Sequence, residues 1–197
     1  MSNYIFAPAP SFYRESFATW NDVFSDEELL LLDKIADSRG LEQAFTGDKN
    51  NDPEIRVSNV AWIDLKEDSG WLYERLANIA NQLNGQFFQY DLYGFNEDMQ
   101  YTVYNGNQEG HYAWHLDEIG KNAKCSPRKL SMVIQLSDPK DYDGGELQLL
   151  LGAEPTVVDK AKGLLAAFPS HTLHRATPVV KGIRKTLVVW ITGPALR

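Results

Sequence analysis

From about residue 86 to the end, this chain is a succession of short runs of strand length, separated almost throughout by Gly, Pro, Asn or Asp. The runs are QFFQYDLYG, DMQYTVYNG, GHYAWHLDE, KLSMVIQLSD, ELQLLL, TVVD, GLLAAFP, HTLHRATPV and RKTLVVWITG. Many short strands at regular spacing argue for an all-β sandwich or barrel and against βαβ units.

Helices are expected upstream. In SDEELLLLDKIADSRG, Ser25 is an N-cap, acids fill the first turn, and Glu28 is the capping-box partner. The pattern closes on Arg39-Gly40, which predicts a helix from about 26 to 38. Trp71, Leu72, Leu76, Ile79, Ala80 and Leu83 recur at helical spacing before Asn84-Gly85, predicting a second helix from about 69 to 84. Between them, 47–54 reads as a polar loop and IRVSNVAWI as one strand. The expectation is a mainly β fold with flanking α-helices, a jelly roll. It spans 1–197 as one domain, with 1–98 as support and 99–197 as core.

A chain of 197 residues, 43% hydrophobic, can bury a sizeable core. Cys125 is the single cysteine, so no intrachain disulfide can form, and nothing points to an oxidising compartment. The segment MSNYIFAPAPSFYRESF lacks the basic start and apolar centre of a signal peptide. No apolar run approaches the roughly 18 to 20 residues of a membrane span. A cytoplasmic protein with no membrane partner is the expectation. The net charge is −8, and residues 1–98 carry 18 acids against 7 bases. That balance disfavours nucleic acid as a partner. Positive charge gathers locally at Lys121, Lys124, Arg128 and Lys129, in a loop over 118–129 that reads either as solvated or as a substrate contact.

Chemistry enters with His115-Leu116-Asp117. Residues i and i+2 of a strand share a face, so this motif sets an imidazole beside a carboxylate. A third ligand from another strand would complete one triangular face around a divalent metal. His174 lies on a strand-like segment, and ten residues later Arg184 opens the next. A turn at Val180-Lys181-Gly182 would join the two as a hairpin within one sheet. Arginine is a good carboxylate receptor because its planar fork makes two parallel charge-assisted bonds. Thr186 shares the face of Arg184 and could add a hydroxyl. Two histidines and a carboxylate form the facial arrangement that leaves three positions of Fe(II) open. Two of these suit the 2-oxo acid end of 2-oxoglutarate and the third suits O2, while Arg184 would hold the far carboxylate.

Other candidates are weaker. His111 shares strand parity with His115 but lies about 13 Å along the strand. His171 lacks the ten-residue relation to Arg184. Tyr112, Trp114, Trp62 and Trp190 read as core or site-wall aromatics. Gly144-Gly145 reads as a tight turn, since no helix follows to make it a phosphate loop.

Three strings, YNGNQEGHYAWHLDE, SDPKDYDGGELQL and FPSHTLHRATPVVKGIRKTLVVWI, resemble the prolyl 4-hydroxylase branch of the 2-oxoglutarate oxygenases. They are most similar to the bacterial PKHD-type hydroxylases. The likeness runs from about Gln100 to Pro194. It implies a double-stranded β-helix (cupin-like) fold, Fe(II), 2-oxoglutarate and O2, with ascorbate as a further possible requirement. It also implies release of succinate and CO2 on hydroxylation, and a role for Tyr104 at the co-substrate. The favoured substrate is a prolyl residue in a peptide or protein, with small molecules left open; the oligomeric state is not indicated. Gln135 departs from the pattern, standing where many prolyl hydroxylases carry a tyrosine on the far carboxylate; an amide could still donate. The few residues after the last strand do not read as the C-terminal helical extension common in PKHD-type proteins, so contacts provided by such an extension are not expected. Competing readings are a zinc hydrolase on the same three ligands and a non-catalytic jelly-roll module. A nucleic-acid demethylase would carry a second arginine six residues after the first, where Trp190 stands.

Overall fold

A computed structural model describes residues 15–44, 52–117 and 126–195. Two helices, α1 (Asp26–Arg39) and α2 (Gly70–Leu83), accompany the strands. The first seven strands are β1 (Ala18–Trp20), β2 (Glu42–Gln43), β3 (Arg56–Val57), β4 (Asn59–Ile63), β5 (Met99–Asn105), β6 (His111–His115) and β7 (Arg128–Gln135). The remaining six are β8 (Tyr142–Gly144), β9 (Leu147–Leu149), β10 (Thr156–Val157), β11 (Leu165–Pro169), β12 (His174–Ala176) and β13 (Val179–Thr192). The major sheet runs β1-β11-β7-β13-β5-β4-β2, with β8 against one end of β13. The minor sheet runs β10-β9-β12-β6-β3. All pairings are antiparallel, and the two sheets form a double-stranded β-helix.

Period-two alternation divides the interior. Leu187, Val189 and Ile191 of β13, with Leu130, Met132 and Ile134 of β7, face the helices and form one large core with Leu32, Ile35, Leu72, Leu76 and Leu83. The alternate residues, Arg184, Thr186, Val188 and Trp190 with Ser131, Val133 and Gln135, face the minor sheet. The helices therefore support the sheet from outside and leave its inner face to the site. The α1 cap is as the sequence reads: the Glu28 amide donates to Ser25 Oγ (3.3 Å), and the Ser25 amide donates to Glu28 Oε2 (2.9 Å). Tyr101 and Lys185 both donate to Asp33, which ties α1 to the sheet.

Three local expectations are corrected. QFFQYDLYG is not a strand; α2 continues into a π-helical turn over Asn84–Phe88, and Gly94 makes only an isolated bridge to Thr192. The cause is Asn84, whose amide nitrogen donates to the Tyr90 carbonyl and whose oxygen accepts from the Tyr90 amide, both at 2.9 Å. IRVSNVAWI is two strands: β3 pairs with β6 in the minor sheet, and β4 pairs with β5 in the major. Finally, β12 and β13 are not a hairpin in one sheet, because β13 passes straight through the expected turn. Gly182 (φ +73°) instead accommodates β8, since a Cβ there would lie 2.0 Å from the Asp141 carbonyl oxygen. Lys121 and Lys124 of the basic loop lie outside the described residues. No helix among the described residues is long and apolar enough to cross a membrane.

Candidate metal and co-substrate site

His115 and His174 are Cα partners across β6 and β12, so the two imidazoles project side by side from the minor sheet. Asp117 follows β6 and is anchored to the other side of the fold. Its amide donates to the Ser170 carbonyl (3.0 Å), and Oδ2 accepts from Ser131 Oγ (2.7 Å). The Ser131 and Ser170 hydroxyls are 2.9 Å apart, so Ser131 is itself held in place.

One potential ligand atom from each of His115, Asp117 and His174 falls within a 4.8 Å group. Nε2 of His115 is 3.7 Å from Asp117 Oδ1, and Nε2 of His174 is 3.5 Å from Asp117 Oδ2. Each Nδ1 meets the carbonyl two residues back, Ala113 at 2.8 Å and Thr172 at 2.9 Å. A carbonyl can only accept, so Nδ1 carries the proton and the Nε2 lone pair is free to coordinate. Two neutral imidazoles and one carboxylate suit Fe(II), so the donor set fits the metal.

Burial and the adjacent His174 push the His115 imidazole down to about 4. Burial opposes ionisation of Asp117, but His174, His115 and the Ser131 hydroxyl hold its carboxyl below the usual range. The unfolded chain protonates His115 near 6.5, whereas the folded chain resists until about 4. Between those values the unfolded state binds more protons, so the metal-free protein loses stability as pH falls through that window. Asp117 adds a loss at still lower pH, as its depressed folded pKa is crossed. Thermal unfolding of the metal-free protein should show a falling midpoint from pH 6.5 to 4, with a shallower slope in His115→Gln. Equal slopes for wild type and variant would show that His115 is not the responsible group.

A β-bulge shapes the wall beside these ligands. Between the pairs His174–His115 and Ala176–Tyr112, β6 has one more residue than β12. The extra residue overturns the expected shared parity of His111 and His115. Tyr112 turns inward and stacks on the His115 ring (3.5 Å between centroids, 13° between planes). His111 instead places Nδ1 2.8 Å from the Glu109 carbonyl and is not part of the ligand group. His171 is exposed.

Arg184 projects from β13 opposite Tyr104 of β5 and is only 2% exposed. Its Nη2 donates to Gln135 Oε1 (3.1 Å), and its guanidinium lies 5.3 Å from the centroid of the Tyr104 ring. Arg184 Nε, Gln135 Nε2 and the Tyr142 hydroxyl are buried with no hydrogen-bond partner. Burial pushes the Tyr142 phenol up, with the nearby Arg184 opposing, so it remains a donor. Unpaired buried donors are costly, and gathered around one guanidinium they fit a carboxylate. Gly145 (φ +60°) lets the chain touch this arginine, because a Cβ there would lie 2.8 Å from Arg184 Cδ. Thr186 is buried on the same face, as expected.

Tyr142 and Ser131 were not singled out in the sequence. The clue to Tyr142 was its place just ahead of Gly144-Gly145. Ser131 shares strand parity with Gln135, the only signal it gives. At the metal end stands Trp190, the register partner of Ser131, with the Arg128 guanidinium 3.7 Å from its ring centroid and Trp62 at 6.4 Å. Arg128 is committed to a two-pronged pair with Glu97.

Residues 99–192 match the family model of the 2OG-Fe(II) oxygenase superfamily. A PKHD-type hydroxylase of Sphingopyxis alaskensis is 31% identical over 152 residues, covering 75% of this chain and 67% of the relative. Two further PKHD-type hydroxylases match over shorter stretches, 38% of each relative's length. A Pseudomonas putida prolyl-4-hydroxylase shares the fold with a TM-score of 0.70 at 20% identity, over 91% of this chain and 94% of that one. A prolyl hydroxylase in complex with a hypoxia inducible factor oxygen degradation domain peptide fragment from Trichoplax adhaerens gives a TM-score of 0.73 at 18% identity, over 90% and 83%. With an inner face that carries a His/Asp/His group and a buried arginine ringed by unpaired donors, the chain belongs to the 2-oxoglutarate- and Fe(II)-dependent oxygenases and is a dioxygenase of the PKHD-type, prolyl 4-hydroxylase-like branch.

Proposed function

We propose that this enzyme hydroxylates a prolyl residue of a peptide or protein, consuming 2-oxoglutarate and O2 and releasing succinate and CO2. The observation that carries the co-substrate reading is the group of orphaned donors at Arg184, on the same inner face as the His/Asp/His group. His115, Asp117 and His174 hold the iron, and Arg184, Gln135 and Tyr142 hold the far carboxylate of 2-oxoglutarate. Tyr104 packs against the arginine, and Thr186 completes the polar lining. When bound, the iron supplies the oxygen chemistry that couples decarboxylation of the co-substrate to insertion of one oxygen atom into a C–H bond.

The protein's part is to place and isolate. Ser131 fixes the Asp117 carboxylate, and the Ala113 and Thr172 carbonyls fix the imidazole tautomers. A zinc hydrolase or a binding module gives the donors around Arg184 nothing to do. The prolyl assignment draws on the Pseudomonas putida prolyl-4-hydroxylase, on the peptide bound by the Trichoplax adhaerens protein, and on the partly exposed ring of Trp62 beside Trp190, an apolar surface that suits a pyrrolidine ring. It is tested by incubating proline-containing peptides with enzyme, iron and 2-oxoglutarate and locating a 16 Da gain by fragment mass spectrometry. A gain confined to residues other than proline would replace the assignment.

Tyr142 offers a separate check. In this chain its hydroxyl substitutes for the tyrosine missing at Gln135. Tyr142→Phe removes one bond to a charged oxygen, worth roughly 1.5–3 kcal/mol, so 2-oxoglutarate affinity should fall by roughly 10- to 150-fold. Iron stoichiometry should not change. The measurement is anaerobic titration of the Fe(II) protein; unchanged affinity would remove Tyr142 from the contact.

A further inference from the structure

We infer that Arg56 is the receptor for a carboxylate carried by the substrate close to the carbon that is hydroxylated. This rests on the oxygenase reading above and narrows its substrate class to anionic molecules. Arg56 is on β3, next to the switch at Ser58 where the chain leaves the minor sheet for the major. Its side chain crosses the space between the sheets. Nε donates to Ser58 Oγ (2.8 Å) and Nη2 to Gln100 Oε1 (2.9 Å) on β5. The guanidinium lies 4.6 Å from the centroid of the Tyr112 ring, the ring that stacks on His115. Arg56 is therefore one aromatic ring away from a proposed iron ligand.

Two facts make it a receptor rather than a strut. It is only 6% exposed, yet it has no carboxylate partner among the described residues. Nη1 makes no hydrogen bond there, although Nε and Nη2 are both engaged. Burying a guanidinium against neutral groups alone is expensive, whereas a paired one is tolerated. The loaded site does not supply the missing charge. The iron dication is balanced by Asp117 and one carboxylate of 2-oxoglutarate, Arg184 by the other carboxylate, and Arg128 by Glu97. Of the two arginines buried among the described residues, Arg56 is the one left without a carboxylate, and a substrate carboxylate would neutralise it through a charge-assisted bond to Nη1.

The carboxylate could be that of a free amino acid, of a C-terminal residue, or of an acidic residue beside an internal target. Three matched pairs distinguish these sources: L-proline against L-prolinamide, short peptides ending in proline as acid or amide, and internal-proline peptides with Asp or Asn as neighbour. Binding to the Mn(II)- and 2-oxoglutarate-loaded protein and 16 Da products with iron are read for each. In at least one pair, wild type should prefer the acid by about tenfold or more; Arg56→Gln should bring the ratio close to one, and Arg56→Lys should restore part of it. Affinity for 2-oxoglutarate, measured in every variant, shows that the site is still assembled. Equal treatment of acid and amide by wild type, including no binding of either in all three pairs, overturns the inference. So does a preference that persists in Arg56→Gln. Failure of the oxygenase reading itself shows differently, as wild-type protein that makes no succinate and binds no 2-oxoglutarate.

Discussion

Replacing Asp117 or His115 by alanine is expected to abolish 2-oxoglutarate turnover while the fold survives. Each removes one of three proposed ligands, and two donors leave the metal weakly held and wrongly shaped for the co-substrate. The fold should tolerate the loss because neither side chain belongs to the large apolar core between helices and sheet. Asp117→Ala does leave Ser131 without its acceptor, but the Ser170 hydroxyl is 2.9 Å away and can take that bond. The checks are succinate formation, iron content after desalting, and the far-ultraviolet circular dichroism melt. Full turnover in His115→Ala would sink the ligand assignment.

The second large effect belongs to Arg184. Arg184→Leu would leave the far carboxylate of 2-oxoglutarate buried and unpaired beside Gln135 and Tyr142. Losing one partner of such a pair costs roughly 2–5 kcal/mol, or about 30- to 5000-fold in affinity. Arg184→Lys should keep a measurable part, since an ammonium still delivers charge but not the two-pronged geometry. Iron binding should persist in both, because Arg184 projects from the major sheet and is not in the ligand group. Titration of the anaerobic Fe(II) protein, followed by its charge-transfer absorbance, measures all three proteins. Equal affinity in wild type and Arg184→Leu would mean that the carboxylate is held elsewhere.

Much of this was legible in the residues because it depends on local rules. The cap of α1 is a four-residue code from Ser25 to Glu28, and strand alternation correctly placed Arg184 and Thr186 on one inward face. What escaped depends on contacts far apart in the chain. Gly182 looks like a turn in sequence, yet its positive φ serves a strand approached by β8, which no local pattern reveals. The extra residue in β6 changes which side chains face inward, so parity counted from His115 fails at His111. IRVSNVAWI alternates like one strand, and only the closing of both sheets shows that it divides at Ser58 and leaves Arg56 between them. Tyr142 was hidden because its importance comes from an orphaned hydroxyl, a property of surroundings rather than of sequence.

The double anchoring of Asp117 also bears on the order in which the protein is assembled. His115 and Asp117 are neighbours in sequence, but His174 joins them through β12, and the Ser131 and Ser170 that steady Asp117 come from the opposite wall. A nascent chain has the first two ligands early and can do little with them, since closure over so long a loop is entropically late. The ion-binding geometry is complete only when both walls have met. Metal capture is thus a readout of finished folding, and partly folded chains, lacking that geometry, are poorly equipped to activate oxygen.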